Sequence, residues 1–75
     1  MAEINEQYME HKGIVEGMPV EILYFKDNSD NSEVGYYFGF DESCHGQEFV
    51  LLNRGQYRHI MPNAIKDVKK LTRTE

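Results

Sequence analysis

The sequence has few of the residues that stabilise very small proteins. Its 75 residues include a single cysteine, Cys44, which excludes an internal disulfide, and its histidines and acidic residues show no zinc-site spacing. Chains of this length bury only about 60% of the surface that they expose when unfolded, and their cores rarely supply more than ~3–5 kcal/mol. We therefore expect the chain to gain stability by associating with copies of itself.

Long apolar segments are also missing. The longest apolar runs, such as residues 22–25, span about four to six residues, whereas a membrane-spanning helix needs about 20. The first residues are acidic and polar, unlike those of a secretory or transit peptide. Five tyrosines and four phenylalanines favour a folded chain. We expect a cytoplasmic protein that does not enter a membrane.

The charge is acidic overall and unevenly distributed. Residues 1–52 hold eleven acidic and two basic side chains, a net of −9, whereas residues 53–75 hold two acidic and six basic side chains, a net of +4. Such a molecule repels phosphate on one side and attracts it on the other. A solvated basic tail with Lys66, Lys69, Lys70 and Arg73 explains the same distribution equally well.

The periodicity of apolar residues changes from helical to extended near residue 20. Ile4, Tyr8 and His11 recur at helical spacing, which predicts a short helix over residues 2–12. Alternating residues on both faces of segment 20–26 predict a strand that is buried on both sides, as in a small closed barrel.

Four further strands follow in the order of an antiparallel meander. The predicted elements are a polar loop at 27–32, strands at 33–41, 48–53 and 56–61, and a segment at 64–71 that fits either a helix or a strand. Gly35 and Gly39 interrupt the second strand and predict a strong bend. Tyr36, Phe38 and Phe40 are predicted to share one strand face, in the core or at an interface. Residues 54–55 predict a tight hairpin turn.

We therefore predict one mainly β domain over residues 1–75. It has an N-terminal helix in residues 1–13, a five-stranded, strongly bent antiparallel β-barrel in residues 14–71 and a tail at residues 72–75.

One segment resembles a known family. The sequence GYYFGFD at residues 35–41 resembles the first signature motif of the Sm/Lsm proteins, Gly-x-apolar-x-Gly-aromatic-Asp, at both glycines, the aromatic residue and the aspartate. VEILYFKD at residues 20–27 is similar to the family's first strand and turn, and IMPNAI at residues 60–65 has the spacing of its second signature. The resemblance implies an Sm-like barrel that forms a homo-oligomeric ring of about five to seven copies, with the fourth strand of one subunit joined to the fifth of the next.

The resemblance also implies where RNA bases would be held. Two turns commonly grip bases in this family, and the candidate nucleic-acid-binding residues at these turns and beside them are Asp41, Ser43, His45, Arg58, Met61 and Asn63. His45 stands where the family has an asparagine, and Met61 and Pro62 replace an Arg-Gly pair. Because the usual arginine is missing, we expect a weak site.

Other roles for these residues remain open. The carboxylate of Asp41 has the alternative of capping its turn, with His45 simply exposed. Tyr57 and His59 share a strand face, and they either stack on bases or pack against the barrel. Cys44 and His45 lack the third, orienting group of a nucleophilic pair, so neither catalysis nor a cofactor or metal site is predicted.

These observations favour a ring-forming Sm-like protein that binds RNA or another single-stranded nucleic acid. The alternative is a protein-interaction adaptor of the same fold that does not bind RNA. Binding to short oligonucleotides at several salt concentrations distinguishes the two functions.

Overall fold

A computed structural model describes residues 4–44 and 46–71 of the chain. The elements are α1 (Glu6–His11), β1 (Pro19–Lys26), β2 (Ser29–Ser43), β3 (Gly46–Asn53), β4 (Gln56–Ile60), a 3-10 helix (Pro62–Ala64) and β5 (Ile65–Lys70). The prediction of a mainly β chain with one short helix is confirmed, and residues 65–70 of the ambiguous segment at 64–71 form a strand. The predicted tail at residues 72–75 lies outside the described residues.

The strands form one antiparallel sheet, and within residues 4–44 and 46–71 no further strand lies beside its two edges. Their order is β4-β3-β2-β1-β5, so β4 and β5 each have one neighbouring strand. The strand pairing leaves this sheet open and does not close it into the predicted barrel.

The helix α1 is shorter than the prediction over residues 2–12, of which residues 2–3 lie outside the described chain. Asn5 caps its beginning, because the Asn5 Oδ1 atom accepts a hydrogen bond from the backbone N–H of Tyr8 at 2.9 Å. A helix of six residues is not stable alone. It docks on the sheet through Met9, which is buried in the core.

The first hairpin has a much shorter turn than the sequence predicts. Asp27 and Asn28 form the whole turn, with φ angles of 54° and 62°, and β2 begins directly afterwards at Ser29. Asp and Asn tolerate this left-handed conformation, and a turn with two such residues matches the twist of a hairpin. The predicted polar loop at 27–32 is therefore wrong, because most of its polar residues lie in a strand.

The core lies against one face of the sheet only. Val20, Ile22 and Tyr24 of β1 are buried on this face, which we call the inner face. Leu23 and Phe25 point to the opposite, outer face and are 38% and 47% exposed. The expectation that β1 is buried on both sides is therefore wrong.

A bulge in β2 changes which aromatic side chains enter the core. Phe38 and Gly39 together oppose Val50 of β3, and Gly39 has a φ of 86°. The extra residue shifts the alternation, so Phe40 packs beside Tyr37 with ring centroids 6.1 Å apart. The prediction that Tyr36, Phe38 and Phe40 share one strand face is therefore wrong for Phe40.

The other β2 glycine permits a close approach between strands. A Cβ atom at Gly35 would lie 2.5 Å from the carbonyl oxygen of Leu52 on β3. Farther along, Arg54 and Gly55 form the predicted tight turn between β3 and β4, with φ angles of 53° and 78°.

Every strand and α1 contribute to a single buried cluster. Its members are Ile4, Met9, Ile14, Val20, Ile22, Tyr24, Tyr37, Phe49, Leu51, Ile60, Ile65 and Val68.

Candidate functional site

The turn between β2 and β3 holds two of the predicted site residues in local hydrogen bonds. Asp41 Oδ1 accepts a hydrogen bond from the backbone N–H of Glu42 at 3.0 Å, and Ser43 Oγ donates to the carbonyl oxygen of Gly46 at 3.0 Å. The Asp41 contact agrees with the alternative in which its carboxylate caps the backbone. The predicted role of His45 falls outside the described residues.

The second predicted turn lies next to the first one. Met61 and Asn63 are exposed on either side of Pro62, which is buried, and the backbone N–H of Ala64 closes the turn on the carbonyl oxygen of Met61 at 3.0 Å. Both turns border a cavity of about 260 Å³ that is lined by Ile4, Asn5, Gly46, Gln47, Met61, Pro62 and Asn63. Asn63 is thus brought beside the β2–β3 turn. We call this cavity and its rim the two-turn end.

Arg58 has a different environment from the other predicted site residues. Its guanidinium points to the inner face, where Nη1 donates to Glu33 Oε2 at 2.8 Å. Glu33 also accepts hydrogen bonds from Asn53 Nδ2 at 3.0 Å and from the Tyr24 hydroxyl at 3.1 Å. Burial, followed by the hydrogen bond to Glu33, raises the pKa of Tyr24 above its usual value.

Sequence reasoning missed this polar cluster because it placed residue 33 at a loop boundary. With β2 beginning at Ser29, a period of two puts Glu33 on the same face as Gly35 and Tyr37, which is the inner face. This alternation is the signal that could have placed Glu33 on the inner face, although it does not identify Arg58 as the partner of Glu33.

Aromatic side chains form an exposed surface on the outer face of the β2–β4 half of the sheet. The rings of Phe38 and Tyr57 meet edge to face, with centroids 5.8 Å apart and an interplanar angle of 85°. Tyr57 is 61% exposed. A cavity of about 370 Å³ beside these rings is lined by Phe38, Phe40, Asp41, Val50, Tyr57 and His59. We call this region the aromatic surface.

His59 belongs to the aromatic surface and has an acidic neighbour. Its Nδ1 atom lies 3.2 Å from Glu48 Oε1 on the adjacent strand. Tyr57 and His59 share the outer face, as predicted, and Tyr57 packs edge to face on Phe38 rather than in the core.

The hydrogen-bond alternation shows which backbone groups are free on the β4 edge. Asn53 and Gln56 close a two-residue turn and therefore form a hydrogen-bonded pair. Alternation along β4 then directs the N–H and C=O groups of Tyr57 and His59 away from β3. These groups face the open edge of the sheet.

The same argument applies to the β5 edge. The backbone N–H of Leu71 donates to the carbonyl oxygen of Pro19 at 3.0 Å, one residue beyond the Val20–Lys70 pair. Alternation therefore directs the backbone groups of Val68 and Lys70 away from β1. Each edge thus has two residues, spaced i and i+2, whose backbone groups point away from the neighbouring strand.

Lys12 of the helix contacts the β5 edge. Its Nζ atom donates to the carbonyl oxygen of Val68 at 2.6 Å and to Asp67 Oδ1 at 3.1 Å, and the Tyr8 hydroxyl donates to the same Asp67 oxygen at 3.3 Å. Burial is the largest single influence and would raise the pKa of Asp67, but the hydrogen bond and charge of Lys12, with the hydrogen bonds from the Val68 backbone and Tyr8, together lower this pKa. Burial opposes the charge on Lys12 as well, yet the bonds to Asp67 and Tyr8 raise the pKa of Lys12.

Comparisons of this chain with protein-family models, with curated proteins and with solved structures find no match. Among residues 4–44 and 46–71, no three His, Cys, Asp or Glu side chains are grouped to hold a metal ion. No helix in the described part of the chain is both long and apolar enough to cross a membrane.

Proposed function

We propose that this chain is an Sm-like protein whose bent sheet forms the family's barrel and assembles into a homo-oligomeric ring. The observation that carries the proposal is the pair of free edges. β4 and β5 are the two outermost strands, and they are the strands that the resemblance to Sm/Lsm proteins joins between subunits. A head-to-tail interface of this kind closes into a ring when the rotation between copies permits.

Free edges are a hazard that a protein has to manage. An unpaired strand is a template for uncontrolled aggregation, and a closed ring removes both edges of every copy at once.

We further propose that the assembled ring binds single-stranded nucleic acid, with RNA as the first ligand to test, at the two-turn end. Asn63 is exposed beside the β2–β3 turn there, and an amide side chain recognises base edges by hydrogen bonds. Arg58 is paired with Glu33, which neutralises its charge, so the proposed site does not include Arg58 as a phosphate ligand.

A protein-interaction adaptor of the same fold is the second candidate. Two observations favour it: Arg58, the one arginine among the predicted site residues, is paired with Glu33, and the aromatic surface is exposed. An adaptor of this kind would retain the ring and lack the nucleic-acid affinity.

Assembly is tested by the mass of the protein in solution. Light scattering coupled to gel filtration at micromolar concentration should give a multiple of the 8.8 kDa chain, and a clean monomer would refute the ring. The substitution His59→Pro removes a free-edge donor without removing a bond to β3, and it should yield folded monomers. His59→Ala is the matched control, because it loses the same contact with Glu48 but keeps the backbone N–H.

Nucleic-acid binding is tested by fluorescence anisotropy with U-rich and A-rich oligomers. The affinity should fall with salt with a slope of about −0.7 per phosphate contacted. Asn63→Ala should raise the dissociation constant by more than about fivefold, which corresponds to ~1 kcal/mol, whereas Gln7→Ala on the exposed face of α1 should not change it. Absence of saturable binding at ~50 mM salt would instead support the adaptor.

A further inference from the structure

The two free edges present their backbone groups from residues on opposite faces of the sheet. On β4 the free groups belong to Tyr57 and His59, which point to the outer face with Leu52 and Val50 opposite them. On β5 the groups that point away from β1 belong to Val68 and Lys70, and the carbonyl oxygen of Val68 also accepts a hydrogen bond from Lys12. These residues pair with Ile22 and Val20, so their side chains lie on the inner face.

This difference constrains how β4 of one copy can pair with β5 of another. Residues directly opposite each other in an antiparallel pair have their side chains on the same face. The outer face of β4 must therefore continue into the inner face of the neighbouring β5. If the outer face of β4 continued into the outer face of the neighbouring β5, the backbone N–H and C=O groups that point outward from the two edges would not lie opposite each other.

We propose that Lys70 of one copy lies against Tyr57 of the next copy, on the aromatic surface. This inference depends on the edge pairing proposed above. The register with Tyr57 opposite Lys70 and His59 opposite Val68 is the antiparallel arrangement that pairs all four of these residues. It makes the aromatic surface a docking site for a second copy of this chain, and the site is incomplete without that copy.

The chemistry of the aromatic surface suits a lysine. Tyr57 is 61% exposed, and its ring stands at 85° to that of Phe38. Both residues line the same cavity. An ammonium group over the face of an aromatic ring is attracted by the ring's negative face. Asp41 also lines this cavity, and its carboxylate has the opposite charge to Lys70.

The β5 edge is able to accept the second copy. The Lys70 side chain is exposed. Its Nζ atom lies near Gly13, 3.5 Å from the position that a Cβ atom on Gly13 would occupy. The carbonyl oxygen of Val68 already accepts a hydrogen bond from Lys12. A carbonyl has two lone pairs, so the backbone N–H of His59 from the neighbour is able to use the second one.

Cysteine cross-linking tests the predicted faces directly. In a Cys44→Ser background, the pair Tyr57→Cys and Lys70→Cys should form intermolecular disulfides with oxidised glutathione, because opposed residues have Cα atoms about 5.5 Å apart. The matched pair Tyr57→Cys and Lys69→Cys places the thiols on opposite faces, since Lys69 is exposed on the other face of β5, and it should not cross-link. Cross-linking through Lys69→Cys but not through Lys70→Cys would overturn the inference and leave the ring intact.

Charge reversal gives an independent test on the otherwise natural chain. Lys70→Glu should raise the dissociation constant of assembly by about tenfold or more, because it brings a carboxylate to Asp41 and Tyr57. Lys69→Glu makes the same change in net charge on the other face of β5 and should have an effect of less than about threefold. Equal effects of the two variants would overturn the docking of Lys70. A monomeric wild-type protein would instead refute the proposed ring itself.

Discussion

Replacing Glu33 by alanine should remove a large part of the stability of this chain. The Glu33 side chain is 11% exposed and accepts hydrogen bonds from Arg58, Asn53 and Tyr24 at 2.8, 3.0 and 3.1 Å. In Glu33→Ala these three donors lose one acceptor at the same time. Tyr24 is affected most, because it is buried.

The size of the effect follows from the exposure of each donor. A hydrogen bond to a charged group contributes about 1.5–3 kcal/mol when no other acceptor replaces it. Asn53 Nδ2 keeps the carbonyl oxygen of Val34 as an acceptor at 3.0 Å, so its share is small. Arg58 is 42% exposed, so water replaces part of its contact and its share lies at the low end. We expect Glu33→Ala to lower the free energy of unfolding by about 2–3 kcal/mol, a large fraction of the ~3–5 kcal/mol that a core of this size supplies.

If Glu33 and Arg58 stabilise the fold through their mutual contact, the effects of replacing them should not add. Arg58→Met alone should cost about 1–2 kcal/mol, because it leaves the Glu33 carboxylate with neutral donors only. The double variant should cost less than the sum of the single variants by about 1 kcal/mol.

The assay is urea unfolding followed by far-ultraviolet circular dichroism at one fixed protein concentration, since assembly changes the apparent stability. Lys66→Ala is the control. It breaks the Lys66–Asp30 ion pair, whose side chains are 51% and 55% exposed, and should cost less than about 1 kcal/mol. Additive single variants, or a Glu33→Ala effect no larger than that of Lys66→Ala, would refute the reasoning.

Two further predictions concern the free energy of unfolding at acidic pH and the effect of replacing glycines in β2 and β3. Because the pKa of Asp67 is lowered below 3.8 in the folded state, Asp67 stabilises the fold above that pH and loses this effect as the pH falls through the folded value. The difference in free energy of unfolding between wild type and Asp67→Asn should therefore shrink between about pH 5 and pH 3 in urea titrations. Gly35→Ala should lower the urea midpoint more than Gly46→Ala, since the new Cβ meets the Leu52 carbonyl in the first case and nothing within 4 Å in the second. We expect about 2 kcal/mol for Gly35→Ala and about 1 kcal/mol, from the positive φ alone, for Gly46→Ala; the reverse order would contradict the close approach of β2 and β3.

The candidate site was partly predictable from the sequence. The spacing of the motifs predicted two turns around residues 41–45 and 61–63, and the folded chain places Asn63 beside Gly46. The environment of Arg58 was not predictable, because Glu33 is 25 residues away along the chain. Their contact requires the side chains of Glu33 on β2 and Arg58 on β4 to lie on the same face of the sheet, on either side of β3.

The sequence by itself determined the strands, their order along the chain and the tight turn at Arg54 and Gly55. Those features follow from local rules: a period of two in the apolar residues, and residues that tolerate positive φ. Even so, local rules placed the start of β2 too late, because the polar residues after Asn28 look like a loop.

Only the tertiary structure decided which face of each strand is covered. Both faces of β1 carry apolar side chains, so composition does not distinguish an inner face from an outer one. The bulge at Phe38 and Gly39 turns Phe40 into the core, and no local pattern specifies which residue of β2 is left unpaired. The free groups on β4 and β5 depend in turn on the register of every hairpin between them. A hydrogen-bond alternation accumulates along the whole sheet, and for that reason the faces that meet at the two edges are a property of the fold and not of any one segment.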